Sequence, residues 1–76
     1  MITNYEATGF KESQIEKKYA KLRNTGEWRL FDVNSKGYTI RERTLTEAEA
    51  IAMLPASCVE RCREISGKAF SSVQYT

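Results

Sequence analysis

The segment Glu27-Trp28-Arg29-Leu30-Phe31-Asp32-Val33-Asn34-Ser35-Lys36-Gly37-Tyr38-Thr39-Ile40-Arg41-Glu42-Arg43 reads as two strands around a turn. Residues 27–33 and 38–43 are rich in aromatic and β-branched side chains. The four residues between them open with Asn34 and close with Gly37, the signature of a type I turn. A β-hairpin follows. Strand side chains alternate between faces, so only one of its aromatic-bearing faces can point into a core. A four-residue loop pairing Val33 with Tyr38 places Trp28, Leu30, Arg41 and Arg43 together on the outward face. A glycine bulge that shifts the register by one gives Trp28, Leu30, Tyr38 and Ile40 a common core face and leaves Phe31 outside with Arg41 and Arg43. The sequence leaves both registers open, and in either of them one aromatic sits among arginines.

Beyond the hairpin, Thr46-Glu47-Ala48-Glu49 is a capping box, in which the threonine hydroxyl and the glutamate each satisfy a backbone N–H at a helix start. Ala48, Ile51 and Ala52 form an apolar stripe and Pro55 stops the run, predicting a short helix over 47–54. Ser57-Cys58-Val59-Glu60 repeats the box and opens a second helix over 58–66. Cys58, Cys62 and Ile65 share one face of it, with Val59 beside them and Gly67 as the left-handed cap. A third box, Ser13-Gln14-Ile15-Glu16, precedes Ile15, Tyr19 and Leu22 at helical spacing and predicts a helix over 14–23 that ends at Asn24-Thr25-Gly26. The rival reading of residues 17–23 is the first strand of a meander that turns at the same place. Residues 2–7 and 70–75 are short and contain β-formers, so each can add an edge strand. The expected fold is one α+β domain spanning 1–76: a small antiparallel sheet of three or four strands, built on the hairpin, against two or three short helices.

Composition supports that reading. The chain has 76 residues, 41% of them hydrophobic and 29% charged, ordinary values for a globular domain with a single small core. The longest uncharged run of the second half, residues 50–59, is interrupted by Pro55 and falls far short of the roughly 20 residues that cross a bilayer. Residues 1–6 have neither the basic nor the apolar region of a secretory signal, so the expected location is the cytoplasm and no membrane partner is expected. Net charge is +2, with the surplus in the first half: residues 1–43 hold nine Lys/Arg against six Asp/Glu. That bias is mild for a dedicated nucleic-acid binder.

Catalysis is hard to assemble from this inventory. Histidine is absent, Asp32 is the only aspartate, and no glycine-rich loop or Gly-x-Ser-x-Gly turn is present to cradle a phosphate or present a nucleophile. Cys58 and Cys62 stand one helical turn apart without the further ligands a zinc site needs, so they read as small core residues. No metal, no cofactor and no enzymatic activity are expected.

Binding residues are easier to name. Trp28, Arg29, Phe31, Arg41 and Arg43 on the hairpin combine aromatic and guanidinium groups, the types enriched at protein hot spots and suited to stacking on bases. Lys17, Lys18, Lys21 and Arg23 form a second, basic group, on one face of the expected first helix. The helix pair around Pro55 is similar in outline to a helix-turn-helix, but its exposed Glu60, Arg61, Arg63 and Glu64 suit a polyanion poorly.

Where residues 38–43 run into Thr44-Leu45-Thr46-Glu47-Ala48-Glu49-Ala50-Ile51, the sequence resembles the compact strand-then-helix units of small phage and mobile-element accessory proteins. The resemblance covers residues 27–54 and transfers no functional residue. It implies a protein that binds and blocks or redirects a host enzyme, defence complex or transcription factor. The expected function is therefore a non-catalytic protein-binding domain, an inhibitor or adaptor acting on a larger partner. The alternative is a small nucleic-acid-binding module using the same residues. A monomer or a homodimer fits either.

Overall fold

In the computed structural model, residues 5–6, 8–68 and 71–76 are described. The chain is α+β, as expected: β1 (Tyr5–Glu6), one 3₁₀ turn (Glu12–Gln14), β2 (Lys17–Leu22), β3 (Trp28–Val33), β4 (Thr39–Leu45), α1 (Glu47–Met53), α2 (Ala56–Glu64) and β5 (Val73–Gln74). The strands form one antiparallel sheet in the order β1-β4-β3-β2-β5, a three-strand meander with a two-residue strand at each edge. The edge strands lie within the terminal segments anticipated above. Residues 2–4, 7 and 70 of those segments lie outside the described residues.

The hairpin forms around the expected turn. Gly37 N–H donates to the Asn34 carbonyl at 3.0 Å, and the Asn34 side chain accepts from the backbone N–H of Lys36 and Tyr38, each at 3.0 Å. Gly37 has φ +87°, a conformation that glycine adopts without the steric cost of a Cβ.

The register differs from both expected ones. Val33 pairs with Thr39 and Asp32 with Arg41, so Ile40 is the extra residue of a bulge; from there Phe31 faces Glu42, Leu30 faces Arg43 and Trp28 faces Leu45. Directly opposed residues share a face. Trp28, Leu30, Arg41 and Arg43 therefore do lie together, but on the inward face, and Phe31 lies outward without either of those arginines. The bulge puts Arg41 in line with Asp32, so the pleat turns both arginines toward the buried Asp32 carboxylate instead of toward water.

The helix expected over 14–23 is a correction. A single 3₁₀ turn occupies Glu12–Gln14, and β2 runs beside β3 across six paired positions, Lys17 opposite Val33 through Leu22 opposite Trp28. Good helix formers here yield to the ladder, because Ala20 and Leu22 alternate with Tyr19 and Lys21 and only an extended chain puts the first pair on the core and the second away from it. The meander reading of residues 17–23 is the one the structure supports.

α1 and α2 cover one face of the sheet. Ala50, Leu54, Cys58, Val59 and Cys62 from the helical segment pack on Ala20, Trp28 and Leu30 from the strands, with Leu22, Leu45, Val73 and Tyr75 around them. α1 begins at the expected box: Glu49 N–H donates to Thr46 Oγ1 at 3.2 Å and Thr46 N–H donates to Glu49 Oε1 at 2.9 Å. Its expected stripe is a second correction. Ala48, Ile51 and Ala52 are exposed, and Ala50 and Leu54, one turn apart, make the contact. The helix has only seven residues between the end of β4 and Pro55, and those two anchors set its rotation, which periodicity alone does not. α2 starts at Ala56, behind Pro55, without the Ser57 cap; Cys58, Val59 and Cys62 face inward as expected.

Candidate functional site

The uncovered face of the sheet carries the residues that alternate with the core. Lys17, Tyr19 and Lys21 come from β2, Arg29, Phe31 and Val33 from β3, and Glu42 and Thr44 from β4. Among the described residues no helix lies across it. Tyr19 and Phe31 are direct cross-strand neighbours and both are part-exposed. Phe31 stands on the central strand with Tyr19 on one side and Glu42 on the other, so an aromatic pair forms the middle of the face.

The charges around that pair are arranged unevenly. Arg29 is held by Glu27 at 3.2 Å and by Glu42 across the strand pair. The hydrogen bond that Arg29 donates to Glu27 is the largest influence on its pKa and raises it, and the charge of Glu42 adds in the same direction. Glu27 also lies 3.7 Å from Arg23. Lys17 and Lys21 flank Tyr19 on its own strand and, among the described residues, have no carboxylate partner. The six arginines of the chain all take part in ion pairs, whereas no lysine does among the described residues. The fixed charge of the fold is thus carried by arginine and the uncompensated charge by lysine.

The expected site residues divide accordingly. Arg29, Phe31, Lys17 and Lys21 come together on the open face. Lys18 points to the other side of β2, opposite Asp32, and Arg23 lies past the strand end beside the turn to β3. Trp28 is 1% exposed in the centre of the core, with its Nε1 unpartnered, and is withdrawn as a partner-contacting residue. Arg41 and Arg43 are part of a structural cluster. Asp32 is 1% exposed, and its Oδ2 accepts from Arg41 Nε at 2.7 Å and lies 3.8 Å from Arg43 Nη2. Arg41 also reaches Glu12 at 2.9 Å and stacks over the Phe10 ring at 5.7 Å. Burial works against the Arg41 charge, but Asp32 and Glu12 outweigh it and its pKa is raised.

Sequence reasoning missed Tyr19 and the part Glu42 plays. At helical spacing with Ile15 and Leu22, Tyr19 reads as part of the apolar stripe of a helix, and only the β2 register turns it out beside Phe31. The 2.0 period of Lys17, Tyr19 and Lys21 was the available signal.

No protein-family model matches the chain, and neither a curated protein nor a solved structure matches it. The site is therefore read from its own chemistry. Both thiols are buried: burial raises the pKa of Cys58 and pushes that of Cys62 up to about 12, and Cys62 Sγ donates to the Ala20 carbonyl at 3.6 Å. Thiols this protonated are poor nucleophiles and poor metal ligands. The only aspartate is engaged by two arginines. What the open face offers is a part-exposed aromatic pair in a frame of mixed charge, a surface for contact.

Proposed function

We propose that this chain is a non-catalytic binding domain that docks a larger protein through the open face of its sheet, with Phe31 and Tyr19 as anchors and Lys17, Lys21 and Arg29 at the rim. The observation that carries the reading is Phe31 itself. It is a large apolar side chain on the central strand, on the face that α1 and α2 leave uncovered, where a fold serving only its own stability gains little from it. Glu42 beside Phe31 favours protein over nucleic acid, since it and Glu27 take up the charge of Arg29 and leave a mixed-charge frame that suits a polypeptide better than a phosphate backbone. The buried thiols and the occupied Asp32 support a binding role over a catalytic one. The resemblance of residues 27–54 to phage and mobile-element accessory proteins points to a host protein as the partner, with the chain as inhibitor or adaptor.

The test is affinity capture from a lysate of the cell that expresses the chain, with and without nuclease, comparing wild type with Phe31→Glu. The expected result is one dominant nuclease-resistant protein, retained by wild type and lost with the variant while far-UV circular dichroism is unchanged. Equal retention by both would overturn the site. The second reading, a single-stranded nucleic-acid module, is favoured by one observation: Lys17 and Lys21 are uncompensated on either side of an aromatic. Nuclease-sensitive capture, with affinity falling linearly on a log–log plot against salt, would select it.

A further inference from the structure

Where the β2–β3 turn meets the end of α2, a cleft of about 180 Å³ is lined by Lys21, Arg23, Asn24, Gly67 and Lys68. Three of its five lining residues are cationic. Lys21 and Lys68 have no carboxylate partner among the described residues, and Arg23 has only Glu27 at 3.7 Å, a carboxylate it shares with Arg29 at 3.2 Å. Lys21 also stands directly across from Arg29 on the neighbouring strand, and like charges in that position are destabilising. The negative C-terminal end of α2 accounts for cations nearby, but Arg61 and Arg63 already occupy its last turn. The cations of the cleft therefore exceed what the fold uses.

The backbone holds the cleft in shape. Gly67 has φ +81°, and a Cβ built on it would lie 3.1 Å from Asn24 Cβ, so a bare glycine lets the end of α2 close on the turn. Gly26, with φ +89°, lets that turn close, its N–H donating to the Arg23 carbonyl at 2.9 Å. Two glycine conformations thus bring Arg23 and Asn24 from one element against Lys68 from another.

We propose that this cleft binds a phosphate monoester, whose dianion the three cations would neutralise and whose oxygens the Asn24 amide and the lysine ammonium groups would bond. A phosphorylated side chain of a protein and a small free phosphate present the same group, so the chemistry is common to both. The cleft shares Lys21 with the rim of the open face but includes neither Phe31 nor Tyr19, and the proposal does not depend on the docking reading.

The experiment is a backbone-amide NMR titration of the full chain at constant ionic strength, with inorganic phosphate and with a phosphoserine peptide and its unphosphorylated twin. Saturable shifts centred on Asn24, Gly67 and Lys68 are expected with phosphate and with the phosphopeptide, and not with the twin. A phosphopeptide that binds more tightly than inorganic phosphate places the group on a protein; equal affinity places it on a small molecule. Lys21→Ser with Lys68→Ser should weaken binding about tenfold or more, since two of the three charge-assisted contacts are gone. Lys11→Ser with Lys36→Ser removes the same charge elsewhere and should leave binding as it is. Asn24→Asp keeps every lysine, adds a repelling carboxylate, and should abolish binding while amides remote from the cleft stay in place. Shifts that follow ionic strength alone, or equal weakening in both lysine pairs, would overturn the proposal.

Discussion

Replacing Asp32 by Asn should cost this domain about 3 kcal/mol. Breaking a buried ion pair by removing one partner costs about 3–5 kcal/mol, because the remaining charge stays desolvated without compensation. Here Asp32 is 1% exposed while Arg41 and Arg43 are 17% and 29% exposed, which lets water relieve part of the loss. Arg41 keeps Glu12, itself 69% exposed and so a weak replacement, and Arg43 has no other carboxylate partner among the described residues, its Nε already unpartnered. The lower end of the range follows. A chain of 76 residues has a total stability of roughly 4–11 kcal/mol at about 0.05–0.15 kcal/mol per residue, so the loss is a large fraction of the whole. The assay is guanidinium unfolding followed by far-UV circular dichroism, with the loss read from the midpoint at unchanged m. Replacing the whole cluster with apolar side chains, as in Asp32→Leu with Arg41→Met and Arg43→Leu, should restore most of that stability, since no charge is left buried. A single-variant loss below about 1 kcal/mol, or a triple variant less stable than the single one, would refute the reasoning.

Trp28→Ala should lose about 3–5 kcal/mol and leave much of the chain unfolded at 37 °C, because Trp28 is the largest fully buried side chain. Phe31→Ala, on the uncovered face, should cost less than about 1.5 kcal/mol in the same guanidinium assay, and an equal cost would show both faces to be core. Above about pH 9 the chain should weaken in part through Cys62. Burial pushes its thiol up from the ordinary 9.0 to about 12 in the fold, so the folded state holds the proton more tightly. The stability tied to that proton is complete below pH 9.0 and declines above it, by up to about 1.4 kcal/mol per pH unit. Cys62→Ala should give a shallower decline in the unfolding midpoint between pH 8.5 and about 10.5, and an unchanged slope would remove Cys62 as the cause.

The parts of the fold that were legible in the sequence are those whose signals are local and chemical. Asn34 and Gly37 define a turn whatever surrounds them, and the Thr46/Glu49 box closes on itself within one helical turn, so the hairpin and the start of α1 were read correctly. β2 was misplaced because its helix propensity is local while its partner strand is not. The alternation within residues 17–22 fits a strand but does not name Trp28–Val33 as its partner, and the six ladder positions that this partner supplies outweigh the capping signal at Ser13. The α1 stripe failed for a related reason. Three small or aliphatic residues at helical spacing mark a face without saying which way it turns, and in seven residues the flanking anchors decide.

The same distinction explains the site. Composition placed an aromatic among arginines on the hairpin, and the two registers weighed differed in which aromatic that was. The observed bulge at Ile40 gives a third arrangement, in which arginine and tryptophan share the inner face. Asp32 makes this possible: with one buried carboxylate in line, two arginines can face inward on the same side of the sheet as Trp28 and Leu30, which pack against the helices. That assignment leaves Phe31 outward, joined by Tyr19 from a strand the sequence had suggested was a helix. The inward arginines and the outward phenylalanine are thus two results of one register, and the Asp32 variants test the feature that fixes which aromatic is free to meet a partner.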